Sequence, residues 1–190
     1  DIMPLRKYNR FIANKVFKNF NVNKNFFFKN VFDIKKIKKP LEIDDLGYLF
    51  GPIINSAGRL DDPNIIVELL TSNDIFLVKK LTKKLILLNE KRKLIEKDIL
   101  KRLDFKKIKS DNNLVIIIED HHIHEGLIGI VASKIKTYFN KPTIVITKSD
   151  NIYKGSARST INFPLSKYIK YALDNNLLLT GGGHNLAAGF

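Results

Sequence analysis

The chain contains no cysteine, which excludes disulfides, thiolate zinc sites and cysteine nucleophiles at once. It has no run of about 18 uncharged apolar residues, so no transmembrane helix is expected. The opening DIMPLRKYNRF has neither a start methionine nor the apolar block of a signal peptide, and it reads as a piece of a longer polypeptide. No Gly-x-Ser-x-Gly elbow, Walker loop or dinucleotide fingerprint is present. Internal repeats and low-complexity linkers are missing too. Arginine is scarce: of 33 basic residues only Arg6, Arg10, Arg59, Arg92, Arg102 and Arg158 are Arg, and the other 27 are Lys.

What is present is charge and core. The 190 residues carry 33 basic against 19 acidic side chains, a net +14, with 44% apolar residues. That apolar share supports a packed core and excludes wholesale disorder. The surplus of cations favours polyanion partners, because neutralising phosphates releases condensed counterions. A Lys-, Ile- and Asn-heavy composition also follows from AT-rich coding, so the few Arg residues carry the sharper information.

Along the chain, residues 1–40 are basic and rich in Phe and Asn. The run Asn25 to Phe32 reads as core, with base stacking as the other use of clustered Phe. Glu42 to Phe50 reads as a short helix that Gly51-Pro52 breaks. Gly58 beside Arg59 suggests a tight turn presenting a guanidinium, with Asn55 fixing the turn or touching substrate. Ile65 to Leu70 reads as a short apolar helix. From the capping residues Thr71-Ser72-Asn73-Asp74, a helical stripe of Leu81, Leu85, Leu88, Ile95, Ile99 and Leu103 runs to about Leu103. So long a helix suits a connector between two lobes, with a coiled-coil dimer as the alternative.

Past Ser110 the texture becomes α/β. Strands are expected at Leu114 to Ile118, Thr143 to Thr147 and Ile152 to Ser159, and helices at Leu127 to Phe139 and Phe163 to Leu173.

Four strings could do chemistry. Gly181-Gly182-Gly183-His184 leaves the backbone bare, either to cradle an anion or to form a Gly-rich hairpin. In KGSARST, Lys154, Ser156 and Arg158 share one strand face. They make either a clamp for a terminal phosphate or a solvated edge. INSAGRL carries Asn55 and Arg59. Glu119-Asp120-His121-His122-Ile123-His124-Glu125 is dense in metal-ligand types, yet no second Asp or His cluster lies elsewhere to complete a site, so a solvated loop before a helix is the reading preferred.

Taken in order, these strings resemble the RecJ family of single-strand-specific exonucleases, within the DHH phosphoesterase superfamily. The matching blocks are DIMPLRKYNR; DLGYLFGPIINSAGRLDDP with the helix that follows; HEGLIGIVASKI; and KGSARS leading to GGGHNLAAGF. The resemblance implies an α/β architecture: the helical tail of an N-terminal DHH lobe over residues 1–71, a long interlobe helix over 72–104, and a DHH-associated substrate-binding domain with a mixed sheet over 105–190, incomplete at its C-terminus.

It also implies function. The expected activity of the whole protein is 5′→3′ hydrolysis of single-stranded DNA in repair and recombination, with two manganese or magnesium ions held by the missing N-terminal lobe. No metal ligand is expected in this fragment, which alone should be inactive. Ser156 and Arg158 resemble the pair that holds the 5′-terminal phosphate, and Arg59 the cleft arginine close to the scissile phosphate. Gly182, Gly183 and His184 resemble the substrate-binding loop, with Lys154 and Asn55 beside substrate. Single-stranded DNA with a 5′-phosphate is the implied partner, with single-strand-binding protein and a helicase as further ones, in the cytoplasm and away from membranes. The alternatives are an oligonucleotide or cyclic-dinucleotide phosphodiesterase of the same superfamily, or a non-catalytic nucleic-acid-binding module. Two positions depart from the family pattern: Ile123, where Trp is common, and Ala157, where Gly is usual.

Overall fold

A computed structural model describes residues 4–190, and the chain divides into two units whose boundary in the sequence falls within one helix. The first compact unit extends to Arg92 and the second begins at Lys93. Asp1 to Met3, the start of the DIMPLRKYNR block, lie outside the described residues.

The first unit is helical: α1 (Lys7–Asn19), a 3₁₀ turn (Val22–Lys24), α2 (Phe26–Lys35), α3 (Ile43–Asp45), a π-helical turn (Leu46–Phe50), α4 (Gly51–Asn55), α5 (Ala57–Leu60), α6 (Asn64–Thr71) and the start of α7 (Ile75–Arg102). The phenylalanine run is mostly core. Phe27, Val31 and Phe32 pack with Phe50, Ile53, Leu69 and the α7 stripe Val78, Leu81 and Leu85, and the Phe28 and Phe50 rings lie 4.2 Å apart. The Asp74 carboxylate caps α7 by accepting from the amides of Phe76 and Leu77, as a short acidic side chain at a helix start does.

Two local expectations are corrected. Gly51-Pro52 does not end the helix. The π turn before it gives the chain an i→i+5 step, and Pro52 then falls in the first turn of α4, where a missing N–H costs nothing. Gly51 serves closeness there, since a Cβ on it would lie 2.9 Å from the Leu46 carbonyl oxygen. Nor is Gly58 in a tight turn: it lies inside α5, and its φ is not positive.

The second unit takes the rest of α7 and adds α8 (Phe105–Ser110), β1 (Ile116–Glu119), α9 (Glu125–Phe139), β2 (Thr143–Ser149), β3 (Ile152–Arg158), α10 (Leu165–Asp174), β4 (Gly182–Gly183) and β5 (Ala187–Gly189). The strands form one sheet in the order β1-β2-β3-β5-β4. β1 and β2 are parallel, joined through α9, and the other pairs are antiparallel, so the sheet is mixed as expected. The three expected strands and both helices are present within a few residues of their expected ends. The glycine cluster adds two short strands, because Gly182 and Gly183 pair with Gly189 and Ala188.

The register sets the layers. Thr143, Val145 and Thr147 stand opposite Arg158, Ser156 and Lys154, on the face that α9 covers with Leu127, Val131 and Ile135, all fully buried. The other face carries Ala157 and Ala188 against Leu165 and Ile169 of α10. Ile123 is buried, and its carbonyl accepts from the Thr147 hydroxyl at 2.7 Å. An aliphatic side chain therefore fills this place, and a strand hydroxyl fixes the loop ahead of α9.

Candidate functional site

Strand alternation puts Lys154, Ser156 and Arg158 on the α9 side of β3, and the site is built from that face. Arg158 Nη1 donates to Ser156 Oγ at 3.1 Å and to the Ala157 carbonyl at 2.8 Å. The guanidinium reaches back over α9 at Gly129, where a Cβ would sit 2.9 Å from Nη2 and 3.1 Å from Ser156 Oγ. Arg158 is half-buried, and that burial pushes its pKa below the ordinary arginine value. The cation stays protonated all the same. No carboxylate reaches it among the described residues. A partly desolvated cation without a counter-ion is suited to an anionic ligand.

β5 lies next to β3, and β4 next to β5. Ser156 faces Gly189, which faces Gly182, while Ala157 faces Ala188, which faces Gly183. The triple-glycine segment therefore runs two strands from the Ser156–Arg158 pair on the same sheet. The structure gives this segment as a hairpin, and a hairpin still leaves its backbone bare. Gly182 has open space where a side chain would be. Gly183 has φ +149°, and a Cβ there would fall 2.3 Å from the Ala187 carbonyl oxygen, so glycine is required on two counts. The His184 amide donates to that same oxygen at 2.7 Å, leaving the imidazole on an exposed residue.

Lys154 is not a free member of the clamp. Its ammonium is paired with Glu125 in the first turn of α9. That partner raises the Lys154 pKa, and the Glu125 carboxyl is held below its usual range by Lys154 first and the Ser149 hydroxyl second. Asn55 ends α4 as an exposed residue, and Arg59 lies partly buried in α5. Both belong to the first unit.

The Asp120-His121-His122 string forms a turn in which Asp120 Oδ1 accepts from the His122 amide. His121 Nε2 lies 3.3 Å from Glu119 Oε1, beside the Tyr153 ring. Among the described residues no group of three or more His, Asp or Glu converges as a metal site would require, so these residues do not fit a divalent-ion centre. No helix of the described residues is long and apolar enough to cross a membrane.

Two contributors escaped the sequence reading. His124 caps α9, its Nδ1 accepting from the Gly126 amide at 3.1 Å. Gly129 makes room for the guanidinium. The available signal was the pair Gly126 and Gly129, since two glycines in the early turns of a helix cost stability and need a reason.

Residues 111–190 match the DHHA1 domain. The single-stranded-DNA-specific exonuclease RecJ of Dickeya dadantii is 37% identical over 162 residues, covering 78% of this chain and 27% of that protein. Over most of its length the chain is similar to the RecJ family. RecJ of Thermus thermophilus, solved in complex with Mg²⁺, superposes with a TM-score of 0.81 at 25% identity over 100% of this chain and 29% of that one. The same protein with Mn²⁺ gives 0.82 at 25% identity, over 98% and 27%. The chain thus spans about a quarter of the length of the curated relatives it matches. Its mixed α/β fold is that of the solved RecJ structures.

Proposed function

We propose that this chain is the end-recognition part of a single-stranded-DNA-specific 5′→3′ exonuclease, with Arg158 and Ser156 holding the 5′-terminal phosphate. The observation that carries the reading is the half-buried, uncompensated guanidinium of Arg158, set against Gly129 beside the glycine hairpin. Arg158 Nη2 and the Ser156 hydroxyl offer donors to phosphate oxygens from fixed positions. The open backbone at Gly182 lets a strand approach closely, and His184 stands at the end of that segment as a further donor. Lys154 lies on the same strand face, its charge offset by Glu125. Arg59 and Asn55 face substrate from the helical unit in this reading, Arg59 near the scissile phosphate.

Hydrolysis of the phosphodiester draws on divalent metal, manganese or magnesium, held by residues outside this chain. The 190 residues alone therefore bind strands without cutting them. DNA repair and recombination in the cytoplasm, alongside single-strand-binding protein and a helicase, form the setting that this activity implies. A stretch that grips a terminal phosphate and admits one unpaired strand gives 5′-end polarity by binding alone.

The test is Arg158→Ala in the 190-residue chain, read by fluorescence anisotropy with 5′-phosphorylated and 5′-hydroxyl oligonucleotides. Loss of affinity confined to the phosphorylated strand supports the clamp, by about tenfold or more for a charge-assisted contact worth roughly 1.5–3 kcal/mol. Equal loss for both strands removes it.

A further inference from the structure

The basic surplus is not spread evenly. Residues 4–39 hold 11 of the 33 cations and one of the 19 acids, Asp33. AT-rich coding explains Lys in place of Arg, but it does not explain the exclusion of Asp and Glu from this stretch. The structure folds the stretch into α1, the 3₁₀ turn and α2, and gathers part of its charge around one concavity of about 650 Å³. Lys18, Lys29 and Lys38 line it, with Asn19 and Asn23 on the rim. Phe20, held edge-on against Phe28 at 4.9 Å, adds an apolar surface.

Lys39, at the same concavity, is occupied by Glu42 and Asp45. Lys18, Lys29 and Lys38 are exposed and have no carboxylate in ion-pair reach among the described residues. Three unpaired ammonium groups around a pocket of small-ligand size, against one carboxylate lining it, Asp33, leave a local positive potential with no partner among the described residues.

We infer that this concavity is a second nucleic-acid contact, in which Lys18, Lys29 and Lys38 hold the phosphates of a single strand independently of the Arg158 clamp. Lysine suits this use, being a flexible point charge that follows a backbone without reading sequence. The amides of Asn19 and Asn23 can bond sugar or base edges, and Phe20 offers an apolar wall to a ribose or base. The site adds affinity and salt dependence but no preference for the 5′ end.

The experiment compares the unaltered 190-residue chain with the triple variant Lys18→Gln, Lys29→Gln, Lys38→Gln, by anisotropy with oligothymidine of about 20 nucleotides across a salt series. A control triple, Lys106→Gln, Lys107→Gln, Lys109→Gln, removes the same charge from α8. Since each single-strand phosphate contact contributes about 0.7 to the slope of log K against log salt, the first triple should flatten that slope by about 2. The control should barely move it. The loss should be equal for 5′-phosphorylated and 5′-hydroxyl strands, whereas Arg158→Ala changes only their ratio, so failure of either site is seen separately. An unchanged slope, equal flattening by the control, or loss confined to phosphorylated strands overturns the inference. So does lost binding to phosphatidylserine vesicles with DNA binding intact, which would make this a membrane surface. The exposed positions of all six lysines keep the fold out of the comparison, and matching thermal melts verify it.

Discussion

The guanidinium of Arg158 occupies the space that a side chain on Gly129 would need, with Nη2 2.9 Å from the position of a Cβ there. A helix and a strand are thereby fitted to each other through one missing methyl group.

Gly129→Ala should separate binding from stability. Alanine is favoured over glycine in a helix interior by about 1 kcal/mol, and the nearest obstructing atom, Arg158 Nη2, ends a flexible side chain. Stability should hold or rise in chemical denaturation, while the preference for 5′-phosphorylated over 5′-hydroxyl strands falls on the order of tenfold, or about 1.4 kcal/mol. An unchanged preference would show that Arg158 needs no such seat.

The glycine hairpin makes a paired prediction. Gly183→Ala places a methyl 2.3 Å from a backbone oxygen at φ +149° and should cost about 1–3 kcal/mol from backbone strain alone, read in a urea titration. Gly182→Ala meets nothing within 4 Å and should leave the midpoint near its original value. Equal effects from the two would contradict the β4–β5 register.

Ala157 is the position at which the sequence resemblance implied glycine. It is fully buried on the α10 face, packs with Leu165 and Ile169, and lacks a positive φ. Ala157→Gly should therefore destabilise by roughly 1–2 kcal/mol, through a lost buried methyl and a freer unfolded backbone. Strand binding at saturating fold stability should not change, because the side chain points away from Arg158. A large change in the ratio of 5′-phosphorylated to 5′-hydroxyl binding would be the contrary result.

Glu125 and Lys154 give a pH signature. The folded Glu125 carboxyl lies below its ordinary value of 4.5, so the pair's stabilisation is present above pH 4.5 and fades as pH falls through the folded pKa. Side chains 40% and 42% exposed keep this contribution small, because solvent screens the pair. The difference in thermal midpoint between the unaltered chain and Glu125→Gln should shrink toward zero on acidification below pH 4.5. A difference that grows there would reverse the sign of the linkage.

Which of these features the sequence held depended on whether a local rule governs them. Buried apolar runs and capping residues marked Thr143 to Thr147 and the start of α7, because strand period and cap chemistry act within a few residues. Pro52 misled, since its effect depends on whether the turn before it can widen, and a π turn does so. The face shared by Lys154, Ser156 and Arg158 followed from alternation alone. The pairing of Lys154 with Glu125 and the fit of Arg158 over Gly129 needed α9 laid across β3, an arrangement of residues 29 positions apart in each case that no local period encodes.

By itself, then, the sequence determined the net charge, the absence of thiol chemistry, the order of the three longer strands and the helices between and after them, and which side chains share a strand face. Composition and backbone geometry fix those along the chain. Only the tertiary structure decided that one cation of that face is neutralised and another left without a counter-ion among the described residues, and that Lys18, Lys29 and Lys38 meet at one concavity. The energy of a charge depends on what surrounds it in space, and packing sets those surroundings.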